Sequence, residues 1–274
     1  MTQPTQTNGA LLQDIGAPLA PGERAAFWWM GQHTFIVKIG TATIFIDPFL
    51  ADWTSRQTPP LLTMNETSGF TWALVSHGHG DHLCPETLKS IAVHSPNCRF
   101  VCPQTETHRL ENESGISPAR IMPLNADDTV TLHGTTITAV KSKHEFFDEH
   151  PELGFPYLGY VIEHDGVTIY HSGDTIPYEG LITSLQKWSH FDCMFLPING
   201  RDAERFTANC QGNLTFQEAV EIAGELQPGL VVPSHYDMFI GNQEDPSKFT
   251  QYLECKFPRL KYWVGAPGTR VTIS

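Results

Sequence analysis

Short runs of β-branched and aromatic residues mark the first half of the chain: Phe27–Met30, His33–Ile39 and Thr41–Ile46, punctuated by Gly31 and Gly40. Runs of this kind broken by glycine read as strands joined by tight turns. Ala73–Val75 is short and wholly apolar, the pattern of a strand buried on both faces. Pro85 suits a first helical position and opens a segment with Leu88, Ile91 and Ala92 on one side. The second half repeats the style. Thr129–Leu132 and Thr136–Val140 flank a His133-Gly134 turn, and Tyr160–Glu163 and Val167–His171 flank Asp165-Gly166, a strong two-residue hairpin signal. Phe195-Leu196-Pro197 closes another apolar strand, and Leu230–Val232 reads as a buried one. Thr215 and Glu218 form a capping box ahead of a helix whose apolar positions are Phe216, Ala219, Val220, Ala223 and Leu226. Lys248–Leu253 also has helical spacing. Hairpins first, then strands alternating with helices, predict two sheets packed together with helices outside.

Residues 1–22 read as a polar lead-in closed by Pro21-Gly22. No fixed-period repeat and no linker divides the remainder, so 23–274 is expected to form a single domain. Three long irregular stretches, Leu50–Phe70, Ser142–Leu158 and Asn199–Asn213, have the length of functional loops.

Chemistry concentrates where the apolar run Ala73–Val75 ends. Ser76–Cys84 reads SHGHGDHLC, placing His77, His79, Asp81 and His82 within six positions. Imidazole and carboxylate together suit borderline divalent ions, and the intervening glycines let the backbone bend. His77 and His79, two apart in an extended loop, point the same way. One loop cannot complete two metal shells, so further ligands are expected after other strands. His144 (in KSKHE), Asp174 (in HSGDT) and His235 (in PSHYD) each follow one.

Composition narrows the partners. A formal charge of −13 on 274 residues repels a polyphosphate backbone, which predicts no nucleic-acid partner. No stretch approaches the length of an apolar membrane span and no signal peptide is evident, so a cytoplasmic protein without a membrane partner is expected. The six cysteines lack paired spacing and read as reduced thiols, the Cys98-x3-Cys102 pair included. A homo-oligomer is left open.

The order His77-x-His79-x-Asp81-His82, His144, Gly173-Asp174, His235 resembles the metallo-β-lactamase superfamily from about Ala26 to Ser274. The stretches WWMGQHTFIVKIGTATIFIDPF, YHSGDT and VPSHYDMF resemble the branch containing L-ascorbate-6-phosphate lactonase and its metal-dependent hydrolase relatives. That resemblance implies an αββα four-layer sandwich (an α+β fold) with two divalent ions, zinc or manganese, along one edge. It places His77, His79 and His144 on the first ion, Asp81, His82 and His235 on the second, and Asp174 between them. His150, six residues beyond His144, competes for its role. A carboxylate at Asp174, where many true β-lactamases carry cysteine, argues against β-lactam hydrolysis. A histidine at His79, where the flavin-partnered diiron oxidoreductases carry glutamate, argues for hydrolysis over redox work.

Supporting roles fall to Asp47, as the acceptor behind a ligand histidine, to His33 at the site's edge, and to His171 beside Asp174. Asn199, Arg201 and Arg205 lie on a loop that is expected to reach substrate, and Tyr236 is placed to donate to an oxyanion. The expected function is binuclear metal-dependent hydrolysis, with Asp81 the catalytic carboxylate that orients the nucleophile or takes its proton. The expected substrate is a small anionic lactone or ester of the sugar-phosphate kind, clamped by the arginines. A phosphodiesterase is the alternative and a diiron redox protein a more distant one.

Overall fold

In the computed structural model, which describes residues 3–274, thirteen strands form two sheets. In the first, β1 (Ala25–Trp29), β2 (Phe35–Ile39) and β3 (Ala42–Ile46) make an antiparallel meander. β4 (Trp72–Leu74), β5 (Arg99–Pro103) and β6 (Ile121–Leu124) then add on parallel to β3. In the second, β7 (Thr129–Leu132), β8 (Thr135–Lys141), β9 (Leu158–His164) and β10 (Val167–His171) are antiparallel neighbours. β11 (Cys193–Pro197) and β12 (Val231–Ser234) extend it parallel to β10. The last strand, β13 (Arg270–Ile273), returns to pair antiparallel with β1.

The wholly apolar strands are explained by burial on both faces. In β1, Ala25, Phe27 and Trp29 enter the core between the sheets, while Ala26 and Trp28 enter a second core on the outer face. β2, β3 and β4 split in the same way, with Ile36, Phe45 and Ala73 turned outward. Alternation of side chains along a strand makes this division automatic. Helices α1 (Asn8–Gly16), α2 (Pro85–His94) and α3 (Thr107–Asn112) contribute Leu11, Ile15, Leu88, Ile91 and Leu110 to the outer core. Across the molecule, α4 (Leu181–Leu185), α6 (Phe216–Leu226) and α7 (Pro246–Lys256) cover the second sheet with Leu185, Ala219, Val220, Phe249 and Leu253, while α5 (Ala203–Thr207) lies in a loop. Between the sheets Phe35 stacks on Phe195 with ring centroids 4.0 Å apart. The result is the four-layer αββα sandwich.

The turn signals have a direct conformational reading. His133 and Gly134 (φ 51° and 79°), like Asp165 and Gly166 (φ 46° and 75°), are consecutive left-handed residues, as a two-residue turn matched to strand twist requires. The Thr215–Glu218 capping box is formed in both directions. Elsewhere the structure adds to the sequence pattern. The stretch read as a polar lead-in contains α1, whose Leu11 and Ile15 are buried and whose Asp14 accepts from the Trp28 indole at 2.8 Å. Its pattern is hidden because only a few apolar residues anchor it. All six cysteines are unpaired; Cys98 and Cys102 are packed in the outer core. No helix among the described residues is long and apolar enough to cross a membrane.

Strand direction positions the site. β1, β3 and β4 run one way in the first sheet, and β8, β10, β11 and β12 share a direction in the second. Their carboxyl ends meet along a single edge, the place where such sheets deliver side chains to ligands.

Candidate metal centre

Each of the seven predicted ligands leaves the carboxyl end of a strand at this edge. His77, His79, Asp81 and His82 follow β4, His144 follows β8, Asp174 follows β10 and His235 follows β12. They fall into two adjacent groups. His77, His79, His144 and Asp174 form one, Asp81, His82 and His235 the other, and within each the donor atoms lie within 4.8 Å of one another. Asp174 also spans the two. Its Oδ2 is 3.8 Å from His144 Nε2, 4.0 Å from His77 Nε2 and 3.2 Å from His235 Nε2, and its Oδ1 is 3.6 Å from His82 Nε2.

Local packing aims these groups. Asp47, at the end of β3, accepts from His82 Nδ1–H at 2.7 Å and from the Ser76 backbone and hydroxyl, each at 2.7 Å. That fixes the His82 tautomer and turns its Nε2 toward the cluster. His77 Nδ1 lies 2.9 Å from the Ser76 hydroxyl, which leaves its Nε2 facing Asp174. The His33 and His171 rings lie 3.9 Å apart, tilted by 33°, and both bond the Gly173 backbone. His33 Nε2–H donates to the Gly173 carbonyl at 3.1 Å, and the Gly173 N–H donates to His171 Nδ1 at 3.2 Å. Neither ring belongs to a ligand group; together they fix the backbone beside Asp174. Gly173 has φ 59°, and a Cβ there would collide with the Leu158 carbonyl. Asp47 (φ 45°), Gln32 (φ 52°) and His235 (φ 61°) are left-handed as well, a conformation costly to a side-chain-bearing residue.

The electrostatics divide the histidines. Burial drives His77 well below its ordinary pKa, takes His144 down to about 4 and lowers His79, so these three present neutral rings. Burial opposes the charge on His82 too, but the carboxylates of Asp174, Asp81 and Asp47 outweigh it and hold the ring up at about 10. His235 is raised against the same burial, first by Asp174. Asp174 is held well below the usual carboxylate range: burial opposes its ionisation, and His235 and His82 overcome it. Buried and without a hydrogen bond stand His82 Nε2 and Asp174 Oδ1. A buried polar atom left unpaired is costly, and both atoms suit a bound cation as their partner. The N/O donor set fits zinc or manganese.

Some predicted residues go elsewhere. His150 is exposed and its Nδ1 accepts from the Glu152 and Leu153 N–H groups; it is His144 that joins the ligand group. The expected arginine clamp is corrected. Arg201 makes a two-pronged pair with Glu218 at 2.6 and 2.7 Å, and Arg205 is tied to Asp202, to the Gln243 carbonyl and to Asn242. Neither guanidinium lines the metal cleft, because nearer partners on their own loop and on α6 claim both. Asn199 is buried and bonded to Asn242 and Asn213. Tyr236 packs on Trp29 at 5.1 Å and lines a separate cavity of about 650 Å³, away from the metal cleft, so it is not placed to serve an oxyanion there.

Other residues were missed. Gln32, in the turn after β1, donates from Nε2 to Asp81 Oδ2 at 2.8 Å and lies 3.2 Å from His235 Nε2. Its backbone N–H is held by the half-buried Asp237 at 2.8 Å. Ser76 links Asp47 to His77, and the Tyr157 ring packs on His77 and His144 at 5.5 and 5.4 Å. Only Ser76 had a signal, its place at the head of the histidine run. The ligands open into a cleft of about 850 Å³ whose wall includes Trp53, Phe206, Phe239 and Ile240.

Comparison with known proteins adds to this geometry. Residues 42–236 match the family profile described as a β-lactamase superfamily domain. A UPF0173 metal-dependent hydrolase of Thermococcus kodakarensis is 30% identical over 225 residues, covering 82% of this chain and 90% of its own. Another from Desulfitobacterium hafniense is 30% identical over 249 residues, covering 89% and 96%. Among solved structures, the metallo hydrolase Igni18 of Ignicoccus hospitalis superposes with a TM-score of 0.72 at 22% identity, covering 91% of this chain and 98% of that one.

Proposed function

The chain belongs to the metallo-β-lactamase superfamily and to its UPF0173 metal-dependent hydrolases, and on that premise we propose that it is a hydrolase that uses two divalent ions to cut an ester or lactone bond. The observation that supports this reading is the convergence of two ligand groups on Asp174, with His82 Nε2 and Asp174 Oδ1 buried and unbonded. His77, His79 and His144 would hold one ion, Asp81, His82 and His235 the other, with Asp174 shared. Zinc or manganese, when bound, supplies Lewis acidity that brings the pKa of water toward ~7 and polarises the oxygen under attack.

The chain's own residues supply the orientation. Gln32 pins one oxygen of Asp81, so the carboxylate keeps a fixed direction from which to orient the attacking water and take its proton. Asp47 holds His82 Nδ1–H, so that Nε2, once its proton is displaced, is the nitrogen that faces the site. The adjacent His33 and His171 rings hold the Gly173 backbone beside Asp174, which helps to fix its position between both groups.

The test is a panel of lactones, carboxylic esters and phosphodiesters, assayed with protein loaded with zinc or with manganese. Hydrolysis of lactones or esters that a chelator abolishes, and that Asp174→Asn brings to background, is the expected result. Turnover confined to phosphodiesters, or activity indifferent to chelation, would overturn it.

A further inference from the structure

Part of the metal cleft's wall is apolar, and among the described residues no lysine or arginine lines it. Five large hydrophobic residues are exposed among the described residues, and three of them, Trp53, Phe206 and Ile240, line this one cleft. Phe206 and Ile240 are 73% and 76% exposed, well beyond what packing asks of them. Trp53 is braced edge-on against Phe49 at 4.8 Å and lies 6.2 Å from the Phe239 ring. Its indole covers Gly80, between His79 and Asp81: a Cβ on Gly80 would come within 2.7 Å of the ring. An apolar surface therefore begins at the ligand loop itself.

Charge points the same way. Apart from the candidate ligands, Glu145 is the one carboxylate lining the cleft among the described residues, and the remaining polar groups include the neutral side chains of Asn209, Gln211 and Asn242. Away from the ligand groups, where bound ions would supply positive charge, an anionic substrate body would meet Glu145 and no lining lysine or arginine, with Arg201 and Arg205 both engaged elsewhere. Apolar patches in a concave site beside convergent polar groups are the ordinary composition of a pocket for an uncharged organic ligand.

We propose that the cleft takes an uncharged substrate whose apolar group lies against Trp53, Phe206, Phe239 and Ile240 while the bond to be cut sits at the ligand groups. This rests on the hydrolase reading for the bond and on the cleft alone for the substrate's body. The four residues are then specificity determinants. Each methylene fully removed from water is worth about a fourfold gain. Four added methylenes, half buried, give roughly tenfold or more.

Two readouts test it. The first is kcat/KM of the metal-loaded protein for p-nitrophenyl acetate, butyrate and hexanoate, and for the mono-p-nitrophenyl ester of adipic acid, which adds a terminal carboxylate at hexanoyl length. The second needs no turnover: binding of hexanamide and of adipamate, followed by tryptophan fluorescence with and without metal, in the native chain and in Phe206→Ala/Ile240→Ala. Expected are at least a tenfold rise from acetate to hexanoate, at least a tenfold preference for hexanoate over the adipate ester, and hexanamide binding that the double variant weakens at least fivefold with metal content unchanged. Equal or better use of the adipate ester, or hexanamide binding indifferent to the double variant, overturns the proposal. Hexanamide binding as expected with no ester cleaved would support the uncharged-substrate cleft and refute the ester reading. A dimer lost in the double variant with hexanamide binding intact would assign the patch to a second copy and overturn it.

Discussion

Asp174 is asked for more than any other side chain: one oxygen faces His77, His144 and His235, the other faces His82. Its neighbours are held by residues outside the two ligand groups, and Asp47, bonded to His82, is the clearest case. Replacing Asp47 with Asn leaves a group of nearly the same shape but weakens the charge-assisted bond to His82 Nδ1. Affinity for the ion beside Asp81, His82 and His235 is expected to fall roughly 10–100-fold, the usual effect of losing such a support, with less effect on the other ion. Competition against a chromophoric chelator measures both. Protonation separates the ions too. His82, held up at about 10, keeps its proton at neutral pH, and His235, raised, holds its own to higher pH than an ordinary imidazole, so an ion binding there must compete with protons. His77, His79 and His144 are lowered and already neutral. Since the competing proton is bound below the raised pKa, affinity at the second group falls as pH falls, by about tenfold per unit for each proton displaced. From pH 8 to pH 6 the first ion is expected to stay while the second weakens, with proton release seen by calorimetry in two buffers of different ionisation enthalpy. Equal pH dependence of both ions would contradict this assignment.

At the scale of elements, the site is a set of short connections at strand ends, and their backbone demands are specific. Gly173 combines a left-handed φ with no room for a Cβ. Gly173→Ala is expected to cost about 2–4 kcal/mol, from strain plus overlap. Gly16, at the end of α1 with open space around it, should tolerate Ala or gain up to about 1 kcal/mol. Urea denaturation of the two variants compares them, and similar effects would refute the close-approach argument. The legible elements share a cause. Strands buried on both faces write continuous apolar runs, two-residue hairpins need residues such as Asp165-Gly166 that accept a left-handed backbone, and a capping box has fixed spacing. α1 was illegible because a few apolar contacts suffice to dock it. The histidine run was legible because ligands must follow one strand closely, whereas Gln32 reaches Asp81 through folding alone. The arginines misled for a related reason. Sequence shows that a loop is cationic, but not that Glu218, at the head of α6, already holds Arg201.

For the whole molecule, the sandwich brings the carboxyl ends of two sheets to one edge, and neither sheet alone carries a complete ligand set: the first supplies His77, His79, Asp81 and His82, the second His144, Asp174 and His235. Metal binding therefore links the two halves, and ions that bind only the folded chain should stabilise it by mass action. The apolar cleft lies at the same edge, so the substrate meets both sheets' contributions together. All of this depends on two ions sharing one carboxylate. The most direct measurement is elemental analysis of chain freed of metal, reloaded with zinc or manganese and passed through a desalting column, alongside Asp174→Asn treated identically. Two equivalents per native chain, falling to one or none in the variant, is the predicted result. One equivalent or none in the native chain, or two retained by Asp174→Asn, would contradict it.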